Sequence, residues 1–140
     1  MVVNYWAVLA AAIASMVIGS IWYGPLFGKM FMKETGMGDW SKEKQAKMKK
    51  SMWVSYVGQF VASLVMFYVL AGIIDAFGRY SLSGGAMTAF MMWLGFVVPI
   101  ALGDVLWGGK TKMFWLKAGN MLITLLAAGA IIGVMMQSMD

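Results

Sequence analysis

A chain of 140 residues in which 61% are hydrophobic and only 12% charged has the material for one helical bundle in lipid and little else. It contains no Cys and no His, which removes disulfides, thiol nucleophiles, iron–sulfur ligation, the usual zinc and haem ligands and the commonest general base. The net charge of +5 resides in lysines placed between apolar stretches, a pattern of membrane topology and anionic headgroups that gives no ground for a nucleic-acid partner.

Four stretches, Val3–Tyr23, Trp53–Ile74, Gly84–Trp107 and Phe114–Met136, each reach the roughly 20 residues that a helix rising about 1.5 Å per residue needs to cross hydrocarbon. The expected fold is an all-α integral membrane protein. It is a four-transmembrane-helix bundle forming one domain over residues 1–140, with an amphipathic and basic cytoplasmic segment at 24–52. The first stretch contains Ala12-Ile13-Ala14, which resembles a signal-peptide cleavage site, but no Lys or Arg precedes Lys29, so the charged start of a signal peptide is missing and the helix is expected to be retained. Ala7, Ala11, Ser15 and Gly19 recur every four residues along it. That row of small side chains is expected to face another helix closely.

Trp22-Tyr23-Gly24-Pro25 follows, two aromatics suited to the headgroup level and then a glycine and a proline that stop the helix. Leu26–Thr35 carries Phe27, Met30 and Phe31 at helical spacing with Lys29 and Lys33 between them, which predicts a short interfacial helix ended by Gly36-Met37-Gly38. Asp39 or Ser41 then caps a helix that runs without a breaker through the lysine-rich Lys42–Lys50 and on to about Ile74. The lysine run reads as a collar facing solvent and lipid headgroups.

Inside that second span Ser55, Gln59 and Ser63 stand four apart, and Asn120 and Thr124 repeat the amide–hydroxyl pair in the fourth. A carboxamide facing lipid has unmet donors and acceptors, so both stripes are expected to face protein or a wet cavity. Two readings follow: helix–helix glue, or a polar seam that holds a solute. In the third span Pro99 deprives the Gly95 carbonyl of its helical donor and predicts a kink. Asp104, near the end of that span, is expected to form an interfacial charged site with Lys110 or Lys112.

The lysines fix the expected orientation. Ten basic residues fall in the first and third connections and the start of the last helix, against Arg79 alone in the second connection. By the positive-inside rule the first and third connections are cytoplasmic and both termini lie outside. A faint repeat aligns Gly19–Trp22 and Gly28–Phe31 with Gly103–Trp107 and Gly109–Phe114, and Gly58–Leu64 with Gly119–Leu125. It implies two parallel helical-hairpin repeats. Gly109-Lys110-Thr111 echoes a phosphate-binding loop, but Asp104 stands where that loop needs a glycine. The methionines, among them Met30/Met32, Met87/Met91 and Met135/Met136/Met139, read as flexible packing rather than a copper site, and no metal or other cofactor is expected.

Asn4 and Trp6, then Trp22-Tyr23-Gly24-Pro25-Leu26-Phe27-Gly28-Lys29, Trp93-Leu94-Gly95-Phe96, and Leu106-Trp107-Gly108-Gly109-Lys110 leading to Ala118-Gly119-Asn120, resemble the bacterial membrane family called domain of unknown function 1761. The resemblance covers essentially the whole chain and is most specific in the Trp22–Lys29 run. It implies a small four-helix inner-membrane protein and supplies no activity or catalytic residue. The expected function is a non-enzymatic membrane protein that self-associates and binds or passes a small solute through the polar seam. The alternative is an accessory or assembly subunit packed against a larger membrane complex.

Overall fold

The computed structural model describes residues 3–36 and 39–137. Met37 and Gly38 of the expected helix stop, Met139 and Asp140 lie outside the described residues. Six helices follow in order: α1 (Tyr5–Ile21), α2 (Gly28–Thr35), α3 (Lys42–Phe77), α4 (Leu82–Met92), α5 (Val98–Leu106) and α6 (Thr111–Gln137). Two widened five-residue turns interrupt the regular pattern, Trp22–Leu26 at the end of α1 and Trp93–Val97 between α4 and α5. Four continuous helical segments are long and apolar enough to cross a membrane: Tyr5–Leu26, Lys42–Phe77, Leu82–Leu106 and Thr111–Gln137.

Local chemistry sets the helix ends. The Asn4 side chain accepts from the Trp6 and Ala7 amides at 3.0 and 3.3 Å, Ser41 from Lys44 at 3.2 Å, and Ser81 from Gly84 at 2.9 Å, each satisfying a donor that the first turn leaves unpaired. Gly36 (φ 76°) and Gly78 (φ 64°) stop α2 and α3 in the left-handed conformation that costs glycine least. The 36 residues of α3 measure about 54 Å at 1.5 Å per residue, well beyond a hydrocarbon core of about 30 Å, so its lysine-rich first turns extend past the apolar stretch.

Pro25 lies inside the first widened turn, and Pro99 stands two residues after the second. In both turns the bond reaches back five residues to a tryptophan: the Phe27 amide donates to the Trp22 carbonyl at 2.9 Å, and the Val98 amide to the Trp93 carbonyl. The disturbance expected at Pro99 thus takes the form of a wide turn that absorbs the missing donor just upstream of the ring.

Helix α6 is the centre of the bundle. It runs antiparallel to α1, tied at one end by Asn4 Nδ2 donating to the Met135 carbonyl at 3.4 Å and at the other by Trp22 Nε1 donating to the Leu116 carbonyl at 3.0 Å. Its closest neighbour is α4. Gly85 on α4 and Gly129 and Gly133 on α6 bring the two backbones together: a Cβ on Gly85 runs into the Gly129 carbonyl, and one on Gly133 into that of Ser81. Such small residues let dispersion act over a whole helix face, which lipid contact does not match.

The core occupies the end of the bundle that carries the termini. Ala7, Val8, Ala11 and Ala12 of α1 pack there with Phe67, Leu70, Ala71 and Ile74 of α3, Ala89 of α4, and Leu125, Ala128, Ile132 and Met136 of α6. The row of small residues on α1 follows the same division. Ala7 and Ala11 are fully buried, whereas Ser15 is half-buried and bonds back to the Ala12 carbonyl at 2.7 Å. Gly19 has open space where a Cβ would stand, so it does not make the close helix contact expected of it, because the bundle has widened by that depth.

Candidate functional site

At the opposite, basic end the helices are held by side chains rather than by backbone contact. Trp22 and Trp93 each open a widened turn and each send an indole N–H to α6, Trp22 to the Leu116 carbonyl at 3.0 Å and Trp93 to the Ala118 carbonyl at 2.8 Å. The Trp22 ring lies over Gly119, where a Cβ would stand 3.1 Å from it. Two indoles from different helices therefore bracket the Leu116–Gly119 turn of α6. The next residues inward are Asn120 and Thr124.

Asn120 Oδ1 and Thr124 Oγ1 are both buried without a hydrogen-bond partner among the described residues, and Thr124 is only 5% exposed. Native interiors rarely leave such groups unpaired, because each forfeits its hydration with nothing in return. A hydrogen-bond donor reaching Asn120 Oδ1 would satisfy it.

The other half of the expected seam separates. Ser63 is buried, but Gln59 and Ser55 are exposed on α3, and Gln59 makes no hydrogen bond to Asn120. The two amides do not meet within one chain, because the basic half of α3 diverges from the bundle: Trp53, Val54, Tyr56, Val57, Val61 and Val65 are all more than half exposed. On the same side of that half, Ser55, Gly58, Gln59 and Ala62 are exposed at helical spacing, and a Cβ on Gly58 meets nothing.

The charged residues of this end are arranged around a partner that sequence reasoning missed. Lys110 Nζ donates to the Glu34 carbonyl at 2.6 Å and Lys112 Nζ pairs with the Glu34 carboxylate at 3.7 Å. Asp104 is exposed and makes no ion pair among the described residues; the expected pairing with Lys110 or Lys112 is replaced, because α2 folds under the start of α6 and offers both a helix C-terminus and a carboxylate. Ring contacts between Trp22 and Phe27 (4.6 Å) and between Tyr23 and Phe31 (5.0 Å) hold α2 in that place. The contact also puts the first and third connections at the same end of the bundle.

The repeat drawn from sequence aligned Trp22 with Trp107, but Trp107 is 92% exposed and Trp93 is the residue in an environment like that of Trp22. Each is followed by a proline, at three residues for Trp22 and at six for Trp93, and that shared Trp-then-Pro order was readable in the sequence. So was Gly129-x-x-x-Gly133, the small-residue spacing that brings α6 against the backbone at Ser81 and Gly85.

No curated protein and no solved structure matches the chain. A family model described as "Protein of unknown function (DUF1761)" matches residues 6–133, a span that takes in both tryptophan-led turns, Glu34, the exposed strip of α3 and the buried Asn120 and Thr124. The chain belongs to that family.

Proposed function

We propose that this is a small non-enzymatic membrane protein that self-associates through the basic half of α3 and binds or passes a small solute at the polar groups of its open half. One observation carries the association: Ser55, Gly58, Gln59 and Ala62 form an outward strip of small residues around a carboxamide that nothing among the described residues satisfies. Exposed valines need no partner in a bilayer, since lipid solvates them. A carboxamide does, and the small residues beside it let a second backbone come near enough to supply one. In a two-fold dimer the strip meets its own copy, which places each Gln59 opposite an identical group able both to donate and to accept.

The solute reading is supported by Asn120 Oδ1 and Thr124 Oγ1, which want donors, and the absence of His and Cys supports a role without catalysis. The basic end faces the cytoplasm in this reading, so that its lysines meet anionic headgroups and both termini lie outside. Native mass measurement of the protein extracted in mild detergent tests association: a homo-oligomer alone, shifted toward monomer by Gln59→Leu, is the expected result. A stoichiometric foreign subunit would instead make the chain an accessory component of a larger membrane complex. Reporter fusions after Asp140 and near Gly38 test orientation, with the first expected outside and the second inside.

A further inference from the structure

The outward face of α2 carries an excess of positive charge. Lys29 and Lys33 stand one turn apart there, and neither makes an ion pair among the described residues. The carboxylate beside them in sequence, Glu34, has a side chain only 14% exposed and is occupied by Lys112. The chain then turns at Gly36, and the Asp39 amide donates to the Gly36 carbonyl at 3.1 Å. That turn returns Asp39 to the lysines: Lys29, Met32, Lys33 and Asp39 line an open cleft of about 400 Å³.

We propose that this cleft binds the phosphodiester of an anionic membrane lipid whose headgroup bears hydroxyls. The two ammonium groups take the phosphate oxygens through charge-assisted hydrogen bonds, and Asp39 accepts from a headgroup hydroxyl. Met32, exposed in the cleft lining, supplies apolar, adaptable contact for the glycerol and first acyl carbons. Charge balance selects the class. Two lysines and one aspartate leave a single positive charge, which one phosphodiester cancels. A phosphomonoester brings roughly −1.5 to −2 and sets the excess against Asp39, while a choline zwitterion leaves the cleft positive. The source proposed is lipid rather than free phosphate because α2 follows directly on Tyr5–Leu26, a segment long and apolar enough to cross a membrane, whose end would bring the cleft to the headgroups. None of this depends on self-association.

Lipid retention by the purified protein, measured by native mass spectrometry after titration with phosphatidylglycerol, phosphatidic acid or phosphatidylcholine, tests the proposal. Phosphatidylglycerol is expected to be retained most. Lys29→Gln/Lys33→Gln is expected to weaken its retention about tenfold more than Lys49→Gln/Lys50→Gln, which removes the same charge away from the cleft, and Lys29→Arg/Lys33→Arg to preserve it. Asp39→Asn is expected to abolish the preference over phosphatidic acid. Equal losses in the two glutamine pairs would reduce the cleft to diffuse surface attraction and overturn the site. Displacement of the lipid by inorganic phosphate would overturn the lipid source, and a wild-type preference for phosphatidic acid would overturn the role given to Asp39.

Discussion

At Gly129 and Gly133, α6 meets its neighbour backbone to backbone; at Leu116 and Ala118 the same helix is held at a distance by two indole N–H groups. The first contact is made of surfaces that fit or clash, so the terminal half has little freedom to change. The second is made of two directional bonds from large side chains, which fix position while Asn120 Oδ1 and Thr124 Oγ1 stay unpaired among the described residues. One helix thus carries a half closed by backbone contact and a half held by side-chain hydrogen bonds, and the difference follows from where its small residues lie.

The largest expected break in that comparison is at the glycine contact. Gly129→Leu or Gly133→Leu should destabilise the protein by about 3 kcal/mol or more in detergent unfolding, because the added side chain meets α4 backbone that cannot move aside. Gly19→Ala, facing open space, should be neutral or gain up to about 1 kcal/mol from helix propensity. Equal losses at the two sites would mean that the bundle is closed along its whole length.

A smaller effect is expected in the open half. Trp22→Phe and Trp93→Phe each remove one indole N–H while keeping an aromatic ring, and each should cost about 1 kcal/mol. Trp107→Phe, at a nearly fully exposed position, should be silent. Thr124→Val has the opposite sign. It replaces a buried, unpaired hydroxyl with a methyl of similar volume, so stability should rise by up to about 1 kcal/mol, and a loss would show that the hydroxyl is satisfied by bound water or solute. Glu34→Gln should move stability by less than about 1 kcal/mol, since its partner Lys112 is largely solvated, with thermal unfolding at low and high salt as the check.

The terminal half was the more legible one. Hydropathy and length gave the four membrane-length segments, Ser41 marked the start of α3, and the four-residue spacing on α1 found Ala7 and Ala11. It overshot at Ser15 and Gly19 because spacing records which side chains share a face, and not how far a partner helix follows that face. Gly129 and Gly133 show the same limit in reverse: their spacing is plain, but its use depends on Gly85 lying opposite.

The open half was legible in its residue types and not in its pairings. The spacing of Asp104, Lys110 and Lys112 predicts that they pair with one another, yet the partner of both lysines is Glu34, 76 residues away from Lys110 and brought near by the packing of α2. Gln59 and Asn120 were rightly noticed as polar groups in apolar spans. Whether they meet depends on the divergence of α3 from the bundle, which no local pattern encodes.

The claim that the open half of α3 is an association surface is tested most directly by cross-linking in native membranes. Because the chain has no cysteine, each variant carries a single thiol and every disulfide formed must join two chains. Single replacements Ser55→Cys, Gly58→Cys, Gln59→Cys and Ala62→Cys are to be oxidised in parallel with Ile13→Cys, an exposed position on α1, and with Ala71→Cys in the core. The account predicts disulfide-linked dimers at one or more positions of the α3 strip and none at the other two sites. Dimer yields on the strip no higher than at Ile13→Cys would contradict it.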